Sequence, residues 1–235
     1  MESDMKKAVI FDLDGTLADT LESISYCSNK ALADFGFSAI EKQRYRRFVG
    51  NGAKMQVIRA LRAAGDQENP LSMEPDEDGF ATRPMHFQDV YNRYMEYFEK
   101  GCMYKVAPYE GILELLAELK EKKIVTAVFS NKPHANAVDV VETLFGKGCF
   151  SLIQGQEEGL AIKPAPDGVY AILKKLDLEK EEILYVGDSC VDMDTGKTAG
   201  VQTIGVLWGF RDREELLEHG ADALIEKPLD LLSCL

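Results

Sequence analysis

Two aspartates spaced two residues apart close the first apolar run of the chain, in Phe11-Asp12-Leu13-Asp14-Gly15-Thr16-Leu17. Residues i and i+2 of an extended strand point the same way, so Asp12 and Asp14 can converge where the strand ends. Gly15 permits an abrupt turn there, and Thr16 offers a hydroxyl that can cap or orient. Two carboxylates facing one cleft repel each other unless a cation or a proton intervenes. Both resolutions are chemically useful. A hard cation such as Mg2+ can hold one ionised carboxylate, while its neighbour keeps a proton and serves as a general acid. A strand ending in a solvated acidic turn is the plainer alternative for such a pair.

Three later segments could complete a site. Ser130-Asn131-Lys132-Pro133 follows the apolar run Ile124 to Phe129. In open α/β sheets ligands sit outside the carboxyl ends of strands, so a hydroxyl and the following backbone N–H groups can donate to an anion there. An ordinary strand-to-helix turn would read the same way. In Lys163-Pro164-Ala165-Pro166-Asp167, Pro164 pushes Lys163 away from helical geometry and Pro166-Asp167 can start a helix. That presents the lysine from a stiff loop, either as a fixed charge for a phosphate or as a surface lysine. In Gly187-Asp188-Ser189-Cys190-Val191-Asp192, Asp188 could complete a metal shell. Asp192, read as a helical neighbour four residues on, could pair with Lys163. Two tempting matches fail. Gly196-Lys197-Thr198 lacks the earlier P-loop glycine, since Val191 stands there, and Gly50-Asn51-Gly52 has Met55 where GxGxxG needs a glycine.

The elements that must position these residues are legible as short buried-type runs, at Ala8 to Asp12, Ile124 to Phe129, Ile183 to Val186, Val201 to Leu207 and Ala223 to Ile225. Helical patterns separate them: Ile112, Leu113, Leu115, Leu116 and Leu119, then Val169, Ile172, Leu173 and Leu176. Alternation of this kind predicts an α/β fold with a parallel sheet and right-handed crossovers. Between Leu17 and about Lys105 apolar residues fall at helical spacing with no convincing strand run, Phe87, Val90, Tyr91, Tyr94, Met95 and Phe98 forming one stripe. This predicts a helical insertion after the first strand, giving a core of residues 1–17 and 105–235 and an inserted unit of 18–104. The stretch from Gly65 to Phe87, with Pro70, Pro75, Pro84 and a run of acids from Asp66 to Asp78, reads as an excursion or loop.

Composition narrows the function. The 235 residues carry 46% hydrophobic and 29% charged side chains, enough for a real core, and a formal charge of -13 that repels nucleic acid and anionic lipid. No apolar run approaches the ~18 residues of a membrane span. The five cysteines show no zinc-like spacing, and the three histidines none either. A cytoplasmic protein with reduced thiols is expected, free of nucleic-acid and membrane partners.

In order, DLDGT at 12 to 16, SNKP at 130 to 133, KPAPD at 163 to 167 and GDSCVD at 187 to 192 resemble the four motifs of the haloacid dehalogenase-like hydrolase superfamily. The resemblance spans nearly the whole chain. It implies a Rossmann-like core with an α-helical cap inserted after the first motif. It also implies Asp12 as the nucleophile that forms an aspartyl-phosphate and Asp14 as general acid and base. Mg2+ would be held by the Asp12 side chain, the Asp14 carbonyl and Asp188. Ser130, the Asn131 backbone and Lys163 would bind the phosphoryl oxygens, with Thr16 and Asp192 in support.

Asp14 separates the phosphoryl-transfer members from true dehalogenases. Phe48 to Ala53, Arg59-Ala60-Leu61, Val206 to Phe210 and Ala221 to Ile225 are further similar to the phosphoglycolate phosphatase branch. The substrate expected is therefore a small phosphorylated metabolite, phosphoglycolate first. The other readings are a β-phosphoglucomutase-like mutase, a pyrophosphatase, or a phosphometabolite-binding regulatory protein without turnover. Arg44, Arg47 and Lys54 could meet a substrate carboxylate, although exposed helix-face charges account for them equally well.

Overall fold

The run Ala-Val-Ile-Phe has no polar side chain to expose, and as strand β1 (Ala8–Phe11) it is buried along its whole length. It lies at the centre of a six-stranded sheet in the computed structural model of the protein, which describes residues 6–65 and 86–235. The acidic excursion predicted from Asp66 to Asp78 lies outside the described residues.

A two-residue ribbon, β2 (Ala18–Asp19) with β3 (Ala107–Pro108), ties the departing and returning chain together antiparallel. The other strands of the main sheet are β4 (Val125–Pro133), β5 (Leu152–Gln156), β6 (Ile183–Gly187), β7 (Gln202–Val206) and β8 (Ala223–Ile225). Their order is β5-β4-β1-β6-β7-β8, and every pairing is parallel. An all-parallel sheet needs cover on both faces. Ile10, Phe129 and Tyr185 accordingly share one core cluster with Val169, Ile172 and Leu173 of the helix Asp167–Leu176.

Register decides what meets at the carboxyl edge. Phe11 pairs with Val128 on one side and Val186 on the other. Asp12 after β1 and Asp188 after β6 therefore stand at nearly the same height, while β4 between its neighbours runs on through residues 130–133, and neighbouring strands lie about 4.8 Å apart. Asp12, the 130–133 segment and Asp188 come together for this reason.

Two compact units divide the chain, Met1–Thr20 with Val106–Leu235, and Leu21–Lys105. In the second unit, α1 (Leu21–Asp34), a short 3-10 helix (Lys42–Arg47), α2 (Gly52–Ala64) and α3 (Phe87–Gly101) surround an apolar core. The stripe on α3 buries Phe87, Val90, Tyr94 and Phe98, while Tyr91 and Met95 are only half-buried at its margins. Asn29 of α1 fixes the following loop by exchanging two hydrogen bonds with the Ile40 backbone and accepting from the Tyr45 hydroxyl.

In the first unit the remaining helices are α4 (Ile112–Glu121), α5 (His134–Phe145), α6 (Asp167–Leu176), α7 (Cys190–Ala199) and α8 (Arg213–Glu218). No helix among the described residues is long and apolar enough to cross a membrane, and all five cysteines are free.

Three local expectations change. The segment 130–133 continues β4 instead of turning directly into a helix. Strand β5 had no sequence signal, because Gln154, Gly155 and Gln156 interrupt what little apolar character it has. Asp188 and Asp192 do not share a helical face. Asp188 lies before α7, Ser189 is its N-cap, and Asp192 is the third helical residue of a capping box, bonded back to Ser189.

Candidate active site

At the carboxyl edge of β1, β4 and β6 the structure gathers Asp12, Asp188 and Asp192, all buried, with one carboxylate oxygen of each within 4.8 Å of the others. Lys163 stands among them. Its ammonium donates to Asp12 Oδ1 and to Asp192 Oδ1, each at 2.7 Å, and to the Phe129 carbonyl at 3.2 Å. Asn131 clamps the lysine's own backbone: Lys163 N donates to Asn131 Oδ1 at 2.8 Å, and Asn131 Nδ2 donates to the Lys163 carbonyl at 3.0 Å. The stiff loop inferred from the prolines is thus held from a neighbouring strand as well.

The other acids have their own partners. Asp188 Oδ2 accepts from the Phe210 N–H at 2.7 Å, and Oδ1 accepts from the Thr16 hydroxyl at 3.3 Å. A Cβ on Gly15, which has φ +95°, would come within 2.3 Å of Asp188 Oδ2, and one on Gly209 within 2.2 Å of Asp188 Cβ. Glycine at both positions lets two backbone segments close around this carboxylate. Trp208 Nε1 donates to the Thr16 carbonyl at 2.9 Å and draws the loop after β7 onto the first motif. Asp192 accepts at Oδ2 from the Ser189 N–H and hydroxyl and at Oδ1 from the Tyr185 hydroxyl. Asp14 stands apart from the cluster, its Oδ1 bonded at 2.8 Å by the Lys132 ammonium. Ser130 Oγ, buried beside it, accepts from the Lys132 N–H at 3.2 Å.

Four carboxylates face two lysine ammonium groups here, leaving an excess of two negative charges. Arg211 is also buried nearby, paired with Glu215 at 3.0 Å. The excess shows in the protonation behaviour. Burial, reinforced by Asp192 and Asp188 against the attraction of Lys163, raises the Asp12 carboxyl well above its usual range. Burial with the Asp192 charge pushes Asp188 up to about 7. Burial alone would lower the Lys163 ammonium, but Asp12 and Asp192 outweigh it and hold the group above its ordinary value.

A divalent cation fits such a site, since hard carboxylate oxygens are its preferred donors and two uncompensated charges match its own. Asp12, Asp188 and Asp192 are the residues that could hold it, each offering one carboxylate oxygen.

The family follows from the whole chain. A family model described as haloacid dehalogenase-like hydrolase matches residues 9–206. The chain belongs to that family. Among curated relatives of this hydrolase are a phosphoglycolate phosphatase of Rhodospirillum rubrum, 33% identical over 94% of this chain and 88% of its own, and an N-acetylmuramic acid 6-phosphate phosphatase of Pseudomonas putida, 28% identical over 96% and 94%. A predicted phosphoglycolate phosphatase of Haemophilus somnus has a solved structure that superposes with a TM-score of 0.85 at 26% identity, covering 100% of this chain and 99% of that one. These relatives are phosphoric monoester hydrolases by name.

The sequence-predicted residues all lie in the first unit: Asp12, Asn131, Lys163 and Asp192 share one set of hydrogen bonds, Asp188 with Thr16 adjoins it, and Asp14 and Ser130 meet separately at Lys132. Sequence reading gave no role to Lys132, Tyr185, Trp208 or the Phe210 N–H. The lysine was visible inside the second motif. Trp208 and Phe210 lie in the segment similar to the phosphoglycolate phosphatase branch, but what they and Tyr185 bond to stands across a gap in sequence that only the fold closes.

Proposed function

We propose that the protein is a Mg2+-dependent phosphatase that hydrolyses the phosphate ester of a small metabolite through an aspartyl-phosphate on Asp12. The observation that carries this reading is the buried Asp12 carboxylate beside Lys163 and Asp188 at the edge of the sheet. A carboxylate without a nearby cation would repel a phosphate dianion. A bound Mg2+ would supply Lewis-acid charge that offsets this repulsion.

The chain's own groups do the rest. The Lys163 ammonium, fixed by Asn131 and Asp192, stabilises charge on the phosphoryl oxygens, and the Ser130 hydroxyl donates its hydrogen to another. Asp12 attacks phosphorus, so that a P–O bond to its carboxylate forms as the ester P–O bond breaks. Asp14 gives its proton to the departing oxygen, then takes one from the water that cleaves the acyl phosphate. Most of the acceleration comes from positioning and charge stabilisation.

Phosphoglycolate is the first substrate to test. It and N-acetylmuramic acid 6-phosphate, the compounds in the two relatives' names, share a chemistry: each is a phosphate ester of a primary alcohol on a molecule that also bears a carboxylate. The substrate class we infer is that one. A phosphate-release panel of both compounds, pyrophosphate, nucleotides and hexose phosphates, with and without Mg2+, tests it. Metal-dependent kcat/KM highest for the carboxylate-bearing esters is expected. A preference for pyrophosphate, or isomerised sugar phosphate in place of free phosphate, would overturn it.

A further inference from the structure

The acids of the first motif have separate cations. Lys163 serves Asp12, and Lys132 serves Asp14 at 2.8 Å. The Lys132 side chain is 2% exposed, a costly position for an ammonium unless something requires it. Its backbone is held from two sides. The Lys132 N–H donates to Ser130 Oγ, and β5 presses close behind it, where a Cβ on Gly155 would come within 2.8 Å of the Lys132 carbonyl. Gly155 N also donates to His134 Nδ1 at 3.2 Å, which locks the start of α5 to the same point. The lysine is therefore aimed from a rigid strand end. Its target is the first-motif carboxylate that lies outside the Asp12, Asp188 and Asp192 cluster.

From this we infer that Lys132 is a positioning residue for leaving-group departure. It holds the Asp14 carboxyl away from the acid cluster and in the place where a proton can pass to the ester oxygen. The inference rests on the phosphatase reading above. In the step concerned, the bond from phosphorus to the ester oxygen breaks, its electron pair stays on that oxygen, and the oxygen takes the Asp14 proton as the bond from Asp12 to phosphorus forms. A primary alkoxide is a poor leaving group and needs that proton. A nitrophenolate leaves without it. Loss of Lys132 should consequently harm alkyl esters far more than aryl esters, whereas loss of a phosphate-binding cation would harm both alike.

The experiment compares phosphoglycolate with p-nitrophenyl phosphate in wild type, Lys132→Met, Lys132→Gln, Lys132→Arg and Asp14→Asn, measuring kcat and KM separately. General acid catalysis is worth about 10²–10⁴-fold. In Lys132→Met the alkyl kcat should fall at least tenfold more than the aryl kcat, Lys132→Gln should shift the ratio the same way, and Lys132→Arg should restore part of it. Asp14→Asn should show the same selectivity, and adding Lys132→Met to it should lower the alkyl rate little further. A reduced folded fraction scales both substrates equally and cancels from the ratio. If Lys132→Met does not fold, Lys132→Gln and Lys132→Arg carry the same comparison. An unchanged ratio, a common rise in KM for both esters, or additive losses in the double variant would overturn the assignment. Failure of the phosphatase reading looks different, since wild type itself would then release no phosphate from either ester.

Discussion

The two units of the molecule differ in what they do with charge. In the second unit, Glu22, Tyr26, Lys30, Lys42 and Tyr104 help to line a cavity of about 390 Å³. Its Glu22 and Lys42 pair at 2.9 Å, yet both side chains remain more than a third accessible to solvent. The Lys42 hydrogen bond lowers the Glu22 carboxyl against a desolvation that would raise it. At the carboxyl edge of the sheet, by contrast, Asp12, Asp188 and Lys163 are buried and displaced from their ordinary protonation. A cavity marks the first place. The cost of burying uncompensated charge favours the second, because folding sustains such an arrangement only where other contacts over-determine it.

The sharpest way to break this comparison is to remove the group assigned as nucleophile. Asp12→Asn should lower phosphate release by at least about 10³-fold, the scale seen when a covalent nucleophile is lost, while circular dichroism stays unchanged. Retention of wild-type turnover would move the chemistry elsewhere. Lys163→Met comes next in size. It leaves Asp12 and Asp192 buried without their cation, and breaking a buried pair from one side costs about 3–5 kcal/mol. Urea unfolding should show a loss in that range without added metal, and turnover should fall about 10²-fold or more. A loss under about 1 kcal/mol would mean that the ion pair is much less desolvated than its geometry implies.

Acidity sharpens the comparison further. The Asp188 carboxyl lies at about 7 in the folded protein against 3.8 ordinarily, and Asp12 is raised as well. A carboxyl raised by folding binds more protons in the folded state between those values, so its contribution to stability is fully present below the lower value and is lost as pH rises through the upper one. In chelator, thermal unfolding should therefore occur at progressively lower temperature from about pH 4 to about pH 7. Each kcal/mol corresponds to roughly 2–4 °C for a chain of this size. Added Mg2+ should raise the midpoint more at about pH 7.5 than at about pH 5, because it binds the ionised form. A midpoint that rises with pH in chelator would contradict the charge excess.

Much of this was readable in one dimension because the relevant signals are local. Ala8 to Phe11 and Ile183 to Val186 are apolar on both faces, and Asp12, Asp14 and Asp188 follow such runs directly. What could not be read depends on strand order. Lys132 meets Asp14 across 118 positions, and only the adjacency of β1 and β4 brings them together. Tyr185 alternates inward on its strand as a core residue should, and nothing in the sequence marks its hydroxyl for Asp192. The helical spacing read into Asp188 and Asp192 failed for a local reason, since Ser189 is the N-cap, in a capping box with Asp192, and the helix so started leaves Asp188 outside it. Strand β5 was missed because its place at the sheet edge spares it from being apolar throughout.

The smallest effect is expected in the cavity of the second unit. Glu22 and Lys42 keep more than a third of their side-chain surface exposed, so Lys42→Ala removes an attraction that water and salt largely screen. Its effect on stability should stay below about 1 kcal/mol and shrink as ionic strength rises. The same variant should leave kcat for p-nitrophenyl phosphate unaltered, since Lys42 belongs to the solvated pair and has no part in the buried network. Steady-state kinetics and urea unfolding at two salt concentrations measure both. A tenfold fall in kcat would show that an exposed pair can matter to the chemistry as a buried one does, and burial of charge would then lose its value for telling the two surfaces apart.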